Sequence, residues 1–375
     1  MNKAGNRYRI SLIIASVTVS SFLGAFATTA KEATSDTILL TDSLTSSGYA
    51  QSIAISNVLN PLRLHKIKVL PVPNGTKRAE MLRDQAADFC ICNMDSYFAQ
   101  EGLLQFEAPS LGPQAARLVL SSTSDFRIGL AIAKDSGTAK LADMRQKRFA
   151  WIRNADQINA LTTAFLAFAG LGWDDVLKIT FPGYSEAAIG LQKKQVDALV
   201  TSELSSEYKR ILNGKRNVYF ADFSRENKKS WARMLQVAPY LQPVSSASWN
   251  GVTHPYPLLI TNSTQSVDKI YQLTKQISEN LEDLQKQAPG AEGWHTAWQD
   301  LTWVIPYHPG AIKYFTEIGI WTDAAQRYQD NLIARQERLQ AAFKQYIQTD
   351  IDEKEFSTGW RRARQLALTP PPTDK

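Results

Sequence analysis

Small polar residues follow two apolar segments of the sequence, and their types suit hydrogen bonding to a small solute. Asn93 and Asp95 follow the first segment, and Thr201 and Ser202 follow the second. An amide, hydroxyl or carboxylate in such a place can cap the next helix, and the N-terminus of a helix also attracts anionic groups. These residue types therefore favour a binding site over covalent chemistry.

The two apolar segments belong to a repeated unit, residues 82–93 and residues 191–202. Each unit begins with a leucine, has an aspartate six residues later (Asp88 and Asp197), and continues as an apolar run typical of a buried strand. One helix–strand unit used twice predicts two similar α/β lobes. Ligands of such sheets lie beyond the carboxyl ends of the strands, so the repeat also predicts a cleft between the lobes.

The motifs of common enzyme classes are missing from the sequence. There is no Gly-x-Ser-x-Gly motif, no phosphate-binding P-loop and no His-Glu-x-x-His helix. We therefore predict no catalytic residues, no cofactor and no metal ion. An exported enzyme of hydrolase type is one alternative, and a structural or interaction protein that uses a long C-terminal helix is another.

Cys90 and Cys92 are the only cysteines in the chain. On a strand, residues two positions apart face the same side, and we predict that both are small, buried, apolar residues. A disulfide between them would close a very tight loop. A metal site would need further ligands, and the four histidines show no ligand spacing with the cysteines. For one of these, His308, we expect a structural hydrogen bond in a turn.

The N-terminal thirty residues have the pattern of a secretory signal peptide. Lys3, Arg7 and Arg9 form a positive segment, an apolar stretch follows, and small residues ending at Ala27 or Ala30 offer a cleavage site. An uncleaved anchor is the alternative, because the apolar stretch approaches the length of a membrane span. Hydroxyl residues within the stretch favour cleavage, so we predict a soluble protein exported to the periplasm.

The charge of the chain argues against a nucleic-acid partner. The formal charge is +6, and removal of residues 1–30, which carry three positive charges and no negative ones, would lower it to about +3. No run of Lys and Arg resembles a nucleic-acid-binding surface. The residues that follow the signal exceed the length of a typical single core, which predicts two domains.

We predict an α/β fold of two lobes, each with a mixed sheet flanked by helices, joined by a hinge. Lobe 1 is predicted over residues 31–128 plus 243–321, and lobe 2 over residues 129–242, with one return crossing between them. Residues 322–368 are predicted as a helical extension on the body of the protein, and residues 369–375 as a disordered tail. Dimerisation through the extension is a minor alternative to the monomer that we predict.

Eleven residues at predicted strand-to-helix turns are candidates for ligand contacts, and Asp156 is a further one in the second lobe. The eleven are Ser46, Ser47, Tyr49, Asn74, Thr76, Asn93, Asp95, Asn154, Gln157, Thr201 and Ser202. Helix capping is the alternative role for such residues, and we predict Thr76 and Ser185 as N-caps. The repeat predicts that Asn93 and Ser202 face each other across the cleft. No arginine at the cleft can be identified from the sequence.

Several segments together resemble the TAXI receptors, the extracytoplasmic solute-binding subunits of one class of TRAP transporters. They are residues 48–60, the unit that ends in Asn93-Met-Asp95, residues 171–175, residues 196–198 and residues 306–315. The last of these begins Pro306-Tyr-His-Pro-Gly-Ala, close to a Pro-Leu-His-Pro-Gly-Ala signature of the family. The extension from Trp321 to Trp360 is similar to that of a longer subgroup.

The resemblance implies a two-lobed periplasmic binding protein fold, type II-like, that captures a small organic solute of the carboxylate class. It also implies delivery of the solute to a TRAP-type membrane permease. The turns depart from the family pattern, since Gly75-Thr-Lys-Arg78 replaces a Gly-Ser turn and residues 154–157 replace a Gly-Ser-Gly turn. Glycines let backbone amides approach an anion closely, so we expect side chains to take over part of the ligand binding here.

Overall fold

The computed structural model describes residues 36–44, 46–62, 66–123, 126–153, 155–349 and 351–369. The predicted signal peptide, the candidate site residue Asn154 and residues 370–375 of the predicted tail lie outside these ranges. Among the helices within them, none combines the length and the apolarity needed to cross a bilayer.

The first lobe begins as an alternation of strands and helices. In chain order its elements are β1 (Asp36–Thr41), α1 (Ser47–Leu59), β2 (Lys66–Pro71), α2 (Gly75–Arg83), β3 (Phe89–Cys92), α3 (Asp95–Glu101) and β4 (Ala116–Ser121). Every residue of β3 and β4 is buried, as the apolar runs Phe89–Cys92 and Leu118–Leu120 predict, and β4 buries Arg117 and Ser121 as well. In contrast, β2 alternates exposed lysines with partly or fully buried residues, as expected of an edge strand.

The second lobe repeats the alternation and then adds short strands. Its elements are β5 (Ile128–Ala133), β6 (Arg148–Ile152), α4 (Asp156–Phe168), β7 (Leu177–Phe181), α5 (Tyr184–Gln192), β8 (Ala198–Ser202), α6 (Ser206–Leu212), β9 (Val218–Phe220), α7 (Lys228–Val237), β10 (Gln242–Val244) and β11 (Gly251–Thr253). The remaining elements are β12 (Leu258–Asn262), α8 (Val267–Glu279), α9 (Leu281–Gln287), α10 (Pro309–Glu317), α11 (Asp323–Tyr346) and α12 (Phe356–Leu368).

The strands form two separate mixed sheets. The first has the order β2-β1-β3-β12-β4, in which β12 runs antiparallel to both of its neighbours. The second has the order β10-β11-β5-β8-β6-β7, and β9 also pairs with β5. Helices flank both sheets, so the predicted two-lobed α/β fold is confirmed.

The repeated aspartate holds two neighbouring strands in register in each lobe. The Asp88 carboxylate accepts a hydrogen bond from the Ile38 N–H at 2.8 Å, and the Asp197 carboxylate accepts one from the Arg148 N–H at 3.1 Å. In each sheet, the residues that follow the two bonded residues pair with each other across the strands. They are Leu39 and Phe89 in the first sheet, and Phe149 and Ala198 in the second. The repeat in the sequence is therefore a repeated strand junction.

Two predicted helix caps are each wrong by two residues. Asn74, rather than Thr76, caps α2, because its side chain accepts the Lys77 N–H at 2.8 Å. Gly183 occupies the N-cap position of α5 with no side-chain bond, and the Ser185 hydroxyl donates to Glu207 instead. In both cases the polar side chain that was expected to cap lies inside the first helical turn.

The boundary between the lobes differs from the predicted one. We placed residues 243–321 in the first lobe, but β10 and β11 pair with each other and, through Val252, with β5 of the second sheet. The chain therefore returns to the first lobe between Thr253 and Leu258. Two strands of three residues each carry too little pattern to assign them to one lobe from the sequence.

The prediction of two unpaired cysteines is wrong. Cys90 and Cys92 are buried in β3, as expected, but they are joined by a disulfide across a Cα–Cα separation of 5.3 Å. Both side chains leave the strand on the same side, and the separation is common for disulfides although it is shorter than the ~6.6 Å of a fully extended strand. The strand is therefore contracted between the two cysteines.

The C-terminal helices α11 and α12 pack on the first lobe through buried polar contacts. Arg335 and Arg364 both pair with the buried Glu101 carboxylate at the end of α3. The fully buried Trp360 indole donates to the Gly102 carbonyl at 2.6 Å. In addition, the Arg117 guanidinium of β4 donates to the side-chain carbonyl of Gln336 at 2.6 Å. The extension is thus part of the body of lobe 1.

His308 has the structural role that we expected. Its Nδ1 accepts the Gly310 N–H at 3.1 Å at the start of α10, and its Nε2 lies 3.1 Å from the Gln265 carbonyl, to which it donates. Burial lowers the pKa of the imidazole from 6.5 to about 4, with a smaller effect in the same direction from the charge of Arg117. The ring is therefore neutral at physiological pH, which leaves Nδ1 free to accept.

The strand junction at Asp197 gives a test of the fold. Burial raises the pKa of this carboxyl, but hydrogen bonds from Arg148 and Arg216 outweigh it and bring the pKa from 3.8 to about 2. We expect Asp197→Asn to lower the free energy of unfolding at pH 7 by roughly 2 kcal/mol, because Arg148 and the buried Arg216 each lose a carboxylate partner, while Arg216 keeps its ion pair with Asp135. The depressed pKa stabilises the fold above pH 3.8, and this contribution is lost as the pH falls towards 2.

Urea unfolding of the two proteins at pH 7 and at steps from pH 4 to pH 2 measures both effects. The difference between wild type and Asp197→Asn should shrink over the acidic steps. Asp84→Asn is the control, since Asp84 is exposed and, among the described residues, forms an ion pair with its neighbour Arg83, and it should change stability by less than about 0.5 kcal/mol. An equal loss of stability in both variants would contradict the role of Asp197 in holding the strand junction.

Candidate functional site

One cleft of about 410 Å³ is lined by residues of both lobes. The lining residues are Asp42, Pro73, Asn74, Gly75, Thr76, Arg78, Asn93, Asp95, Gln105, Ala155, Asp156, Gln157 and Ile158. Most of them come from the first lobe. Residues 155–158, at the start of α4, come from the second lobe. A volume of this size is within the range of small-molecule sites.

The topology of the first sheet brings three turns together at the cleft. The strands β2, β1 and β3 are parallel neighbours, so their carboxyl ends meet at one edge of the sheet. Asp42 follows β1, residues 73–76 connect β2 to α2, and Asn93 and Asp95 follow β3. In the second lobe, Asp156 and Gln157 begin α4, directly after β6. This is the edge at which open α/β sheets bind ligands.

A buried arginine forms the floor of the cleft. Arg78 is 1% exposed, and its guanidinium donates to the Val72 carbonyl at 2.6 Å and to the Pro73 carbonyl at 3.1 Å. It also donates to the Asp95 carboxylate at 2.9 Å and lies 3.4 Å from the Asp42 carboxylate. These contacts connect the ends of all three strands through one cation.

Asp95 is the buried carboxylate partner of Arg78. Burial raises the pKa of its carboxyl, against the opposing charge of Arg78. Its Oδ2 faces Gly75, where an added Cβ would lie only 2.5 Å away. Its Oδ1 is buried and has no hydrogen-bond partner among the described residues. Helix capping was the alternative role for Asp95. It does not cap α3, because it is the first residue of that helix and its carboxylate pairs with Arg78.

Residues from the first turns of two helices line the cleft. Thr76 belongs to the first turn of α2, and Asp156 and Gln157 to the first turn of α4, which has no side-chain cap. Backbone N–H groups in a first helical turn attract an anionic group. The carboxylates of Asp42 and Asp156 also line the cleft, whereas Arg78 is paired within its floor. The site therefore offers amide donors beside an acidic surface.

Five of the eleven predicted contacts line the cleft, namely Asn74, Thr76, Asn93, Asp95 and Gln157. Ser46, Ser47, Tyr49, Thr201 and Ser202 are not among the described lining residues, and Asn154 is outside the described ranges. Ser46 caps α1 by accepting the Tyr49 N–H at 3.0 Å, which is the alternative role that we gave to one of the serines.

The predicted pair of Asn93 and Ser202 does not occur in this cavity. Asn93 lines the cleft and also accepts the Asp95 N–H at 3.1 Å. Ser202 instead lies opposite Ile128 of β5, and its hydroxyl accepts the Leu204 N–H at 3.3 Å. Because β5 runs antiparallel to β8, the carboxyl end of β8 lies beside the start of the strand by which the chain enters the second lobe.

Sequence reasoning missed Asp42, Arg78 and Gln105. Asp42 had a signal, since it is the first polar residue after β1. Arg78 had none, because a helical arginine is ordinarily exposed and only the assembled sheet edge buries it. Gln105 follows Leu104, whose positive φ of 57° is rare for a residue with a branched side chain.

A comparison with known protein families shows to which family the chain belongs. Residues 40–319, about three quarters of the sequence, match the NMT1-like family. The protein belongs to the NMT1-like family. A comparison with curated proteins finds no match.

Solved structures with a similar course of the chain are distant in sequence. XAC2383 from Xanthomonas citri bound to ATP is 13% identical, with coverage of 88% of this chain and 99% of the other, and a TM-score of 0.45. PhnD1 from Prochlorococcus marinus in complex with methylphosphonate is 12% identical, with coverage of 76% and 98% and a TM-score of 0.43. At these values the likeness carries no argument about the ligand of this NMT1-like protein.

The contact between Gly75 and Asp95 gives a test of the cleft floor. A Cβ on Gly75 would lie 2.5 Å from the Asp95 Oδ2 and 2.8 Å from its Cγ, and Arg78 prevents the carboxylate from moving away. We expect Gly75→Ala to lower the free energy of unfolding by about 1–3 kcal/mol, as overpacking does. Gly172→Ala is the matched control, because a Cβ there meets nothing within 4 Å.

Urea unfolding of the two variants measures the difference. If Gly75→Ala proved as stable as Gly172→Ala, the carboxylate of Asp95 would have to be mobile, and the description of a fixed cleft floor would be wrong.

Proposed function

We propose that this NMT1-like protein is an extracytoplasmic receptor that captures a small organic solute by closure of its two lobes. The observation that carries the proposal is the cavity lined by strand-end turns of the first lobe and by the start of α4 in the second. A solute bound there would contact both lobes and so favour the closed arrangement.

Two crossing segments suit a hinge between the lobes. The chain leaves the first lobe between β4 and β5 and returns between β11 and β12. The two crossings bond to each other, since the Tyr256 N–H donates to the Ser122 carbonyl and the Ser122 N–H donates to the Pro257 carbonyl, both at 2.9 Å. Paired crossings of this kind support rotation of one lobe against the other.

Binding, rather than catalysis, is the function that the cleft supports best. Its described lining residues include no Ser, Cys, Lys or His side chain, and two of its three aspartates, Asp42 and Asp95, pair with Arg78. The proposed role is therefore capture without a chemical change of the solute. We find no observation that favours the alternatives of a hydrolase or a structural protein.

We propose a carboxylate as the group that the cleft recognises. The first turns of α2 and α4 supply backbone N–H donors, and Asn74, Thr76 and Gln157 add side-chain donors. Since Asp42 and Asp156 would repel a second negative charge, the ligand that fits best carries a cationic group besides its carboxylate. An amino-acid-like zwitterion meets both requirements, and a dicarboxylate does not.

We further propose that the receptor delivers its solute to a TRAP-type permease. It rests on the resemblance to the TAXI receptors, above all on the Pro306–Ala311 segment, and on the signal-like N-terminus, which supports a periplasmic location. In this proposal the closed, loaded receptor is a monomer that docks on the membrane subunits of the transporter.

Titration calorimetry of the purified protein against amino acids, keto acids, dicarboxylates and neutral compounds without a carboxylate tests the ligand class. We expect a hit among the amino acids, with a rise in melting temperature in the presence of that ligand. A hit confined to dicarboxylates would contradict the argument from Asp42 and Asp156. Binding only of neutral compounds would refute the carboxylate proposal, and turnover of a bound compound would refute the receptor.

Asn93→Ala then tests the site itself with the ligand that the screen identifies. If the Asn93 amide contacts the solute, its loss should weaken binding about three- to tenfold, corresponding to roughly 0.5–1.5 kcal/mol. Ser202→Ala is the comparison, and we expect its dissociation constant to stay unchanged because Ser202 does not line the cavity. A lower melting temperature of ligand-free Asn93→Ala with unchanged affinity would instead mean that Asn93 only caps α3.

A further inference from the structure

A second cavity, of about 320 Å³, lies at the end of the second lobe opposite the cleft. Its lining residues follow β5, lead from the end of α5 towards β8, and precede β9. Since β5 runs antiparallel to β8, the carboxyl end of β5 lies beside the amino end of β8. Residues 155–158 of the cleft instead follow the carboxyl end of β6, which is parallel to β8. An occupant of the second cavity therefore does not meet the solute in the cleft.

Cations dominate the lining of the second cavity. The described lining includes one carboxylate, that of Asp135, and four cationic side chains, namely Lys134, Lys194, Lys215 and Arg216. Four positive charges against one negative charge give it a net charge of +3. Hydrogen bonds from Arg216 and Lys194 hold the pKa of the Asp135 carboxyl below its usual value, so it is ionised at pH 7. A concave surface with an excess of one sign of charge concentrates counter-ions.

Arg216 is buried, and its guanidinium is already saturated by the protein. Its Nη1 donates to the Leu191 and Val196 carbonyls at 2.8 Å and 2.6 Å. Its Nη2 pairs with the carboxylates of Asp135 and Asp197 at 2.7 Å and 3.2 Å, and its Nε also donates to Asp135. Arg216 therefore braces the segment between α5 and β8, and it leaves the binding of an anion to the exposed lysines.

Further hydrogen bonds tie together the three segments that line the second cavity. The Gln192 side chain accepts the Arg216 N–H at 2.9 Å, which joins the end of α5 to the segment before β9. It packs closely on Gly214, where an added Cβ would lie 2.2 Å from it. The Lys134 N–H donates to the Asn217 carbonyl at 2.9 Å, which joins the end of β5 to the same segment. The backbone that carries the lysines is therefore fixed without a ligand.

Two of the lysines have no counter-charge. The ammonium groups of Lys134 and Lys215 form neither an ion pair nor a hydrogen bond with a described residue, whereas that of Lys194 lies 3.2 Å from the Asp135 carboxylate. All three lysines are exposed, so an anion can reach them from solvent. The unbalanced positive charge is thus both accessible and held around one concave space.

The repeated unit shows that the fold does not require a cation at this turn. Lys194 and Gln85 occupy the same position in the two units, three residues after the leucine that begins each. Both have a positive φ, of 62° and 56°. The backbone therefore turns in the same way with a neutral side chain in the first lobe. A role in binding accounts for the charge in the second lobe.

We propose that the second cavity binds a phosphate group with two negative charges, either as free phosphate or as a phosphomonoester. Ammonium groups are point charges that suit a tetrahedral oxyanion, whereas the guanidinium fork that matches a planar carboxylate is occupied here. A dianion balances Lys134 and Lys215, and on their side it keeps away from the Asp135 carboxylate. The proposal does not depend on the solute in the cleft.

Titration calorimetry of the purified protein with inorganic phosphate at low ionic strength tests the proposal. We expect binding that weakens as salt is added, because the contacts join exposed charges. The double variant Lys134→Gln/Lys215→Gln keeps polar side chains but removes both charges, and it should weaken binding about five- to thirtyfold. Its melting temperature without phosphate should not fall, since the substitutions relieve repulsion between cations.

The double variant Lys228→Gln/Lys229→Gln is the matched control. Both lysines are exposed at the start of α7 in the same lobe, and neither lines the second cavity. The phosphate affinity of this variant should equal that of the wild type. An equal loss of affinity in both double variants would overturn the proposal. Weaker phosphate binding in Asn93→Ala, with no effect of Lys134→Gln/Lys215→Gln, would place the phosphate in the cleft and overturn it as well.

Sedimentation with vesicles distinguishes the two sources of a phosphomonoester. Vesicles of phosphatidic acid present this group on a membrane surface, and vesicles of phosphatidylcholine are the control. Binding to phosphatidic acid that is lost in Lys134→Gln/Lys215→Gln, without binding of inorganic phosphate, would support the site and identify a lipid headgroup as its ligand. Failure to detect lysine-dependent binding in both assays would overturn the proposal.

Discussion

The buried guanidinium of Arg78 is the interaction on which the candidate site depends. A cation that is 1% exposed must be paired and hydrogen-bonded, because an isolated charge in a protein interior is strongly destabilising. Arg78 meets this requirement only where the ends of β1, β2 and β3 come together, through two backbone carbonyls and the carboxylates of Asp42 and Asp95. The charge therefore fixes the relative positions of three turns that carry the polar lining of the cleft.

The C-terminal extension secures the same arrangement from the opposite end of α3. Asp95 begins this short helix at the cleft, and Glu101 ends it in ion pairs with Arg335 and Arg364. Burial raises the pKa of the Glu101 carboxyl, and the two arginines outweigh that effect and hold its pKa below the ordinary value. A helix of seven residues has little stability of its own, so tertiary contacts at both ends must position it. The extension thus supports the cleft without lining it.

The sequence predicted those features that repeat or that follow a local rule. The unit around Asp88 and Asp197 identified two lobes, because the same aspartate-to-backbone bond closes a strand junction in each. It also led to Asn93 at the cleft. Arg78 escaped, since the burial of a helical arginine is decided by packing across segments far apart in sequence. The Cys90–Cys92 disulfide escaped because a loop closed by residues two apart was judged too tight.

The repeat misled us at Ser202 because equal units do not have equal neighbours. In the first sheet β3 lies beside β1, a parallel strand whose carboxyl end also reaches the cleft. In the second sheet β8 lies between β6 and the antiparallel β5, so Ser202 meets the chain as it arrives from the first lobe. The first lobe consequently supplies three turns to the cleft, and the second supplies mainly the start of α4. In the proposed receptor this asymmetry assigns initial binding to the first lobe and leaves α4 to complete the site on closure.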